Sequence, residues 1–233
     1  MSHNKNLSGE KTGIFRSRLV IRGFLVIVFV LLSTSLFAQY FDGGLLAGFN
    51  GSQVRGDSYS NGFHKLGFVG GAWVQANIND NWYWGLELKY SQKGSQINPT
   101  AKNNYYLYIY RLDYIDMPFL IGYKYQNFLS FFGGVSFDYL THRSASDSFG
   151  PIADVTGNLH DWEIALFVGL KVDFENMVNR DWARNFKFDL RYQFSAMSIY
   201  GVNGLFFYYS PYAQFNSVIS TSLYYTINWR GKN

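Results

Sequence analysis

Three histidines supply the side chains best suited to acid–base chemistry in this sequence. His64, His142 and His160 all lie in polar segments. The segment that begins at His142 also contains hydroxyl and carboxylate groups, namely Ser144, Asp147, Ser148 and Asp154. A serine, a histidine and an acid held together would form a nucleophilic site, as in barrel enzymes that act on outer-leaflet lipids. Segments rich in Ser and Asp are common, however, and the H-E-x-x-H, GxGxxG and P-loop spacings are absent. We therefore expect a protein that is not an enzyme and that holds no metal or cofactor.

A second set of reactive side chains recurs at alternate positions within otherwise apolar segments. Its members are Glu87, Lys89, Asp116, Lys124, Glu163, Lys171, Asp173, Asp189 and Arg191. If the segments are β-strands, these side chains share one face of a sheet. Two interpretations follow: a polar pathway or ligand site, or a network of salt bridges and hydrogen bonds that fills a narrow interior. The second is favoured if the sheet closes with eight strands, because such a barrel is just wide enough to be filled by side chains.

The elements that carry these charges are predicted from a period of two. In residues 81–96, NWYWGLELKYSQKGSQ, apolar side chains occupy the even positions from 82 to 90, and Glu87 and Lys89 lie among the odd positions. The same alternation predicts eight strands, at about 42–53, 65–79, 81–96, 106–125, 128–141, 161–175, 186–196 and 214–229. Pro118 lacks a backbone donor and predicts a bulge or a break in pairing within the fourth strand.

The N-terminus has the pattern of an export signal. Five basic residues precede the apolar run GFLVIVFVLLSTSLFA at residues 23–38. This predicts a signal peptide over residues 1–38 and a barrel domain over residues 39–233. An uncleaved transmembrane helix is the alternative, but the run is shorter than the roughly 20 residues that a span needs.

The charge and cysteine content narrow the partners. Residues 1–38 hold five of the 20 basic residues and one of the 16 acidic ones, so the remainder carries 15 of each and is neutral. This excludes the basic footprint of a nucleic-acid-binding protein. There is no cysteine, which excludes disulfides and thiolate sites.

Two kinds of eight-stranded antiparallel barrel fit the alternation: a soluble ligand-binding barrel with the apolar face inward, and a transmembrane barrel with that face toward lipid. Aromatic residues make up 20% of the chain and charged residues 15%, and so many bulky side chains would not fit inside. Glycines such as Gly85, Gly122, Gly134 and Gly169 fall on the polar face, as expected for a crowded inner wall. Aromatic residues near strand ends predict membrane-interface girdles; they are Trp82, Trp84, Tyr125, Phe128, Trp162, Phe186 and Trp229. We therefore predict an all-β, up-and-down transmembrane barrel in the outer membrane.

The connections alternate between long and short, as in outer-membrane barrels with short periplasmic turns and longer outer loops. The long connections contain aromatic residues that could bind a protein or a glycan, namely Tyr59, Tyr105, Tyr106, Phe206, Phe207, Tyr208 and Tyr209. Loops carry function more often than the elements they connect. Apart from outer-membrane lipid, we expect a protein or glycan partner at these loops; a mobile cap near the lipid headgroups is the alternative.

Several segments resemble the PorT-type family of Gram-negative outer-membrane barrels. They are GLLAGFNGSQ at 44–53, GFVGGAWVQANINDNWYWGLELKYSQKGS at 67–95, RLDYIDMPFLIGYKY at 111–125 and the aromatic last strand. The resemblance spans about residues 40–230. It implies a barrel and carries over no catalytic residues, and one branch of the family implies a further alternative, an accessory role in a protein secretion machinery. Leu86, where family members often have proline, and the extension 230–233 depart from the family pattern.

Overall fold

A computed structural model describes residues 41–56, 62–152, 159–178, 180–201 and 213–227. The predicted signal peptide, Trp229, Tyr59 and residues 206–209 lie outside these ranges. Within them are nine strands: β1 Phe41–Arg55, β2 Lys65–Asn77, β3 Trp82–Ile97, β4 Tyr108–Gln126, β5 Leu129–Asp147, β6 Gly150–Pro151, β7 Trp162–Asp173, β8 Phe186–Ser195 and β9 Phe215–Thr226. Short helical turns lie at Ala101–Asn103, Phe174–Met177 and Asp181–Asn185. In the described ranges, no helix has the length and apolar character needed to cross a membrane.

The eight long strands form a closed antiparallel ring. Each pairs with the next along the chain, β5 pairs with β7, and β9 closes the ring by pairing with β1 from Gly44↔Thr226 to Arg55↔Phe215. The two-residue β6 pairs only with the far end of β5. Closure leaves no exposed sheet edge along the ring, which is why such a barrel can exist in lipid. The predicted fold class is confirmed.

The two ends of the ring differ in their connections. Residues 78–81 and 127–128 make tight turns at one end, which we call the inner end, together with the connection 174–185. Long connections leave the other end, the outer end, and by the rule for bacterial barrels it faces outward. The outer halves of β3, β4 and β5 also extend beyond the other strands of the ring. β4 and β5 stay paired as far as Tyr108↔Asp147, whereas the pairing of β5 with β7 ends at Tyr139↔Trp162.

Side chains alternate between the inside and the outside of the ring. On β3, Trp82 and Leu88 are 45% and 55% exposed on the outer wall, whereas Glu87 and Lys89 are buried inside. Glycines on the inner wall are required by close approach, since a Cβ atom at Gly122 would collide with the ring of Tyr83. The predicted orientation of the two faces is therefore the observed one.

The structure tests two predicted details of the strands. The ladder between β3 and β4 lacks pairs opposite Pro118 but keeps its register, and the register shifts lie in the β4–β5 ladder, between Asp113 and Tyr114 and between Lys124 and Gln126. The break predicted at Pro118 is thus confirmed, without a bulge there. The predicted end of the fifth strand at residue 141 is wrong, because β5 continues to Asp147 by pairing with β4.

Candidate functional site

The structure places seven of the nine predicted interior charges in the buried centre of the ring. They are Glu87, Lys89, Asp116, Glu163, Lys171, Asp189 and Arg191. The other two lie at the inner end and are partly exposed. Lys124 Nζ donates to Asn77 Oδ1 at 2.9 Å, and Asp173 Oδ2 lies 3.5 Å from Lys187 Nζ.

Arg191 organises the half of the interior nearer the inner end. Its guanidinium donates to both oxygens of Glu87, at 3.0 and 2.9 Å, and to Asp189 Oδ2 at 3.1 Å. The Tyr224 hydroxyl donates to Glu87 Oε1 at 2.7 Å, and Lys89 Nζ lies 3.7 Å from Glu87 Oε2. We call these five residues the Arg191 cluster. A bidentate pair of this kind fixes both distance and orientation, and here it joins β3 to β8 across the ring.

Lys93 organises the half nearer the outer end. Its ammonium lies 2.6 Å from Asp138 Oδ2, 3.2 Å from Asp116 Oδ1 and 3.6 Å from Glu163 Oε2. These four residues are the Lys93 cluster. Neutral groups complete it: Gln193 donates to Asp138 at 2.9 Å, and Asn216 donates to Glu163 at 2.8 Å.

Lys93 and Asp138 were absent from the charges predicted to line the interior. Lys93 continues the odd-numbered face of β3 two residues past Ser91, and Asp138 lies on the inward face of β5 beside Ser136, so the alternation itself could have identified both. Within each cluster, acids and bases from different strands pair across the ring. Among the residues described, no group of histidine, aspartate and glutamate side chains is placed to hold a metal ion.

An apolar cluster lies beyond the Lys93 cluster at the outer end. Its buried members come from β1, β4, β5 and two outer connections: Val54, Tyr108, Tyr110, Leu112, Tyr114, Leu140, Ala145, Leu159 and Ile199. We call it the outer plug. The connections are held in place by backbone bonds, such as that from His160 N to Ile199 O at 2.9 Å. The interior is therefore filled from the Arg191 cluster to the outer end.

Two aromatic side chains project from the outer end. Tyr105 is 70% exposed and Phe149 is 92% exposed. Their turns are joined, because Leu107 N donates to Ser148 Oγ at 2.8 Å. Tyr105 has a φ of 58°, in the left-handed region that a tyrosine rarely adopts. We call Tyr105 and Phe149 the outer aromatic pair; Phe149 was not among the predicted loop aromatics.

Exposed rings also surround the wall. Trp82, Tyr125, Phe128 and Trp162 are among the exposed aromatic side chains, and Trp84 and Phe186 are half-buried. Several pair with a ring on the next strand: Trp162 with Tyr139 at a centroid distance of 4.9 Å, and Trp82 with Tyr123 at 5.1 Å. All six lie on the outer wall, with Trp162 near the outer end of the ring and the other five near the inner end.

The serine, histidine and acid groups of the outer end are not assembled into a site within the described residues. His142 and Ser144 are exposed on β5 and not in a loop. Asp147 accepts from the backbone of Phe149 at 2.8 Å, and Ser148 is bonded to the backbone of Leu107, so both hold turns. Asp154 lies outside the described residues.

Known proteins include structures and a family to which this chain is similar. Among solved structures, the chain is similar to the attachment invasion locus protein Ail of Yersinia pestis in complex with the heparin analogue sucrose octasulfate, at 14% identity and a TM-score of 0.46, over 80% of this chain and 99% of that one. It is also similar to Neisserial surface protein A (NspA), at 14% identity and a TM-score of 0.44, over 79% of this chain and 96% of that one. No curated protein sequence matches the chain. Residues 37–201 match the family model for the outer membrane protein beta-barrel domain, so the chain belongs to this family and is an outer-membrane β-barrel protein.

Proposed function

We propose that this barrel binds a protein or glycan partner through its outer end and that its interior supports the fold without forming a pore. The observation that carries the proposal is the outer aromatic pair, which is exposed on two turns that hydrogen-bond to each other. Large aromatic side chains held in a fixed position lose little entropy on binding and commonly dominate the binding energy of an interface.

The surroundings of the pair suit a polar partner. Arg111, His142 and Arg143 are exposed on the projecting part of β4 and β5. Arginine is enriched in binding hot spots because its planar group forms several directed hydrogen bonds. A surface that combines exposed rings with these cations fits an acidic or hydroxyl-rich partner. The cations lie on strands, and the rings lie on two turns that are bonded to each other.

The pore is disfavoured by what fills the interior. A solute would have to separate Arg191 from Glu87 and then displace the outer plug. Eight-stranded barrels have little room beyond their own side chains.

The binding proposal is tested by replacing both members of the outer aromatic pair, Tyr105→Ala with Phe149→Ala. The matched control replaces two exposed aromatic residues at the inner end, Tyr125→Ala with Phe128→Ala. Refolded proteins in lipid nanodiscs are screened on a glycan array and used to capture protein from detergent extracts of the source envelope. Each ligand found is then titrated directly against both variants.

We expect the outer variant to lose at least tenfold in affinity, since a single hot-spot residue contributes about 2 kcal/mol or more. The inner variant should bind as the unchanged protein does. Equal binding by all three proteins, or loss only in the inner variant, would contradict the proposal.

We also propose that the chain has no catalytic role, which is supported by the structural hydrogen bonds of Asp147 and Ser148. A His142→Ala strain should keep the lipid composition of its envelope, and a changed composition would favour an enzyme. Membership of the PorT-type family likewise remains a proposal, supported by the motifs quoted above.

A further inference from the structure

The inner end opens into a polar vestibule of about 420 Å³. This volume is at the lower end of the roughly 300–1,000 Å³ range of small-molecule sites. Asp42, Asp80 and Glu175 line it and are exposed at its rim, whereas Lys171 and Tyr83 line it and are buried. Lys124 and the Lys187–Asp173 pair also line it and are partly exposed, so carboxylates outnumber ammonium groups at the rim. The vestibule is thus acidic at its mouth and has a cation at its floor.

Lys171 is the unusual group in this cavity. Its side chain is only 5% exposed, and in the described part of the chain its ammonium makes no hydrogen bond and no ion pair. Its neighbour across the β7–β8 ladder, Asp189, instead accepts from Arg191 at 3.1 Å. An ammonium has three donors, and Lys171 lines the vestibule, where those donors are not used by a protein acceptor among the described residues.

Aromatic rings surround this ammonium. Lys171 Nζ lies 4.3 Å from the ring centroid of Tyr224, 5.4 Å from that of Phe132 and 5.9 Å from that of Trp73. Ring faces stabilise the positive charge. They provide no oxygen acceptor, so the donors of Lys171 remain available to a molecule in the vestibule.

A buried polar group near Lys171 is unsatisfied. The indole Nε1 of Trp73 meets no hydrogen-bond partner, and the rings of Trp73 and Tyr83 lie 5.9 and 6.0 Å from Lys171 Nζ. Buried polar groups are normally paired, so each unpaired one calls for an explanation. Lys171 lines the cavity and the Trp73 indole lies behind it, so an anionic group in the vestibule would meet the Lys171 ammonium directly and change the surroundings of the indole.

We propose that the vestibule binds the free carboxylate of a small zwitterionic peptide, with the carboxylate at Lys171 and the amine toward the acidic rim. The three rim carboxylates would repel a dianion such as phosphate more strongly than a zwitterion, which can place its own cation among them. The volume accommodates a molecule of about dipeptide size. The site lies at the opposite end from the outer aromatic pair and is independent of the partner-binding proposal.

The experiment uses the full chain refolded in nanodiscs and alanyl-alanine as the probe. The matched probe is alanyl-alaninamide, which differs only in lacking the carboxylate, and glucuronate tests whether a sugar acid is the source of the carboxylate instead. Binding is followed by the NMR signal of the Trp73 indole N–H, which is assigned with Trp73→Phe. Lys171→Met removes the cation, and Lys102→Met, exposed at the outer end, is the matched control.

We expect alanyl-alanine to shift the Trp73 signal saturably, with the amide and glucuronate at least tenfold weaker, because a hydrogen bond to a charged group is among the strong ones. Lys171→Met should weaken binding at least tenfold, and Lys102→Met should not change it. Equal effects of alanyl-alanine and its amide on the unchanged protein would overturn the proposal even if Lys171→Met failed to fold. Unchanged binding by a folded Lys171→Met, or tighter binding of glucuronate than of the peptide, would overturn it as well.

Discussion

The replacement Glu87→Ala tests whether the interior charges hold the barrel together. The Glu87 carboxylate accepts two hydrogen bonds from Arg191 and one from Tyr224, all within 3.0 Å. Its removal leaves the Arg191 guanidinium, which is buried, with Asp189 as its remaining carboxylate partner, at 3.1 Å.

The expected loss can be bounded from these contacts. A hydrogen bond to a charged group contributes about 1.5–3 kcal/mol, but the three bonds share one carboxylate and are not additive. Removing one partner of a buried ion pair typically costs about 3–5 kcal/mol. We therefore expect the free energy of unfolding to fall by about 3–5 kcal/mol.

The assay is urea unfolding of the refolded barrel in lipid vesicles, followed by tryptophan fluorescence and by the gel mobility of the folded band. Lys187→Ala is the control, because the Lys187–Asp173 pair at 3.5 Å is partly exposed and should contribute less than about 1 kcal/mol. The double change Glu87→Leu with Arg191→Met should recover only part of the loss, since it removes the buried pair but leaves Asp189 without Arg191 and Lys89 without Glu87.

Two results would refute this reasoning. One is a Glu87→Ala barrel whose free energy of unfolding stays within about 1 kcal/mol of the unchanged protein, below the cost of an unpaired buried charge. The other is a small loss of stability together with a new stable conductance in planar bilayers, which would make the Arg191–Glu87 pair a gate and not a support.

Three further predictions concern the filling of the interior. The unchanged protein should show no stable conductance in planar bilayer recordings, because the outer plug and both charge clusters occupy the ring. Gly134→Ala should lower the free energy of unfolding by about 3 kcal/mol, the upper part of the overpacking range, because its Cβ atom would collide with the Phe119 carbonyl. The control is Gly51→Ala, whose Cβ atom would lie 3.6 Å from its nearest neighbour. It should change the free energy of unfolding by less than about 1 kcal/mol in the same urea assay. Lys93→Met should lower it by about 3–5 kcal/mol at neutral pH, with a smaller loss at acidic pH, because the carboxylates left without Lys93 can then take up protons; a loss that grew on acidification would contradict this.

The barrel was predictable because strand geometry leaves few choices. In the ring every strand residue faces either lipid or the interior, so the inner half of β3 repeats its polarity with a period of two from Trp82 to Tyr90. The same alternation fixed the inward direction of Glu87 and Arg191 before any contact was known.

The pattern fails where the outer face is no longer apolar. Past Tyr90 the outward positions of β3 are Gln92, Gly94 and Gln96, so polarity no longer separates the inner face from the outer one, and Lys93 is placed inside only by continuing the odd positions past Ser91. Residues 142–147 of β5 have no apolar alternation either. They form a strand because β4 offers them a paired edge, which is a tertiary effect that local sequence does not contain.

Contacts between side chains on opposite walls of the ring could not be predicted from the sequence, for a different reason. Arg191 and Glu87 are 104 residues apart, and their strands, β8 and β3, are not neighbours in the ring. Which acid each base meets depends on the relative heights of strands on opposite walls. The alternation predicts the set of interior charges but not its division into the Arg191 and Lys93 clusters, nor the exclusion of Lys171 from both.

The order of the vestibule, the two charge clusters and the outer plug along the barrel decides where a ligand could bind. From the inner end outward, the interior contains the vestibule with Lys171, then the Arg191 cluster, the Lys93 cluster and the outer plug. A molecule that enters the vestibule meets the bidentate Arg191–Glu87 pair, and separating that pair would cost about 3–5 kcal/mol before the Lys93 cluster is reached. A ligand proposed for either end would therefore be selected by the chemistry of that end alone, which is a buried ammonium at the inner end and exposed rings beside arginines at the outer end. A ligand that binds at one end should for this reason leave the affinity of the other end unchanged, unless it alters the Arg191 cluster that joins the two walls.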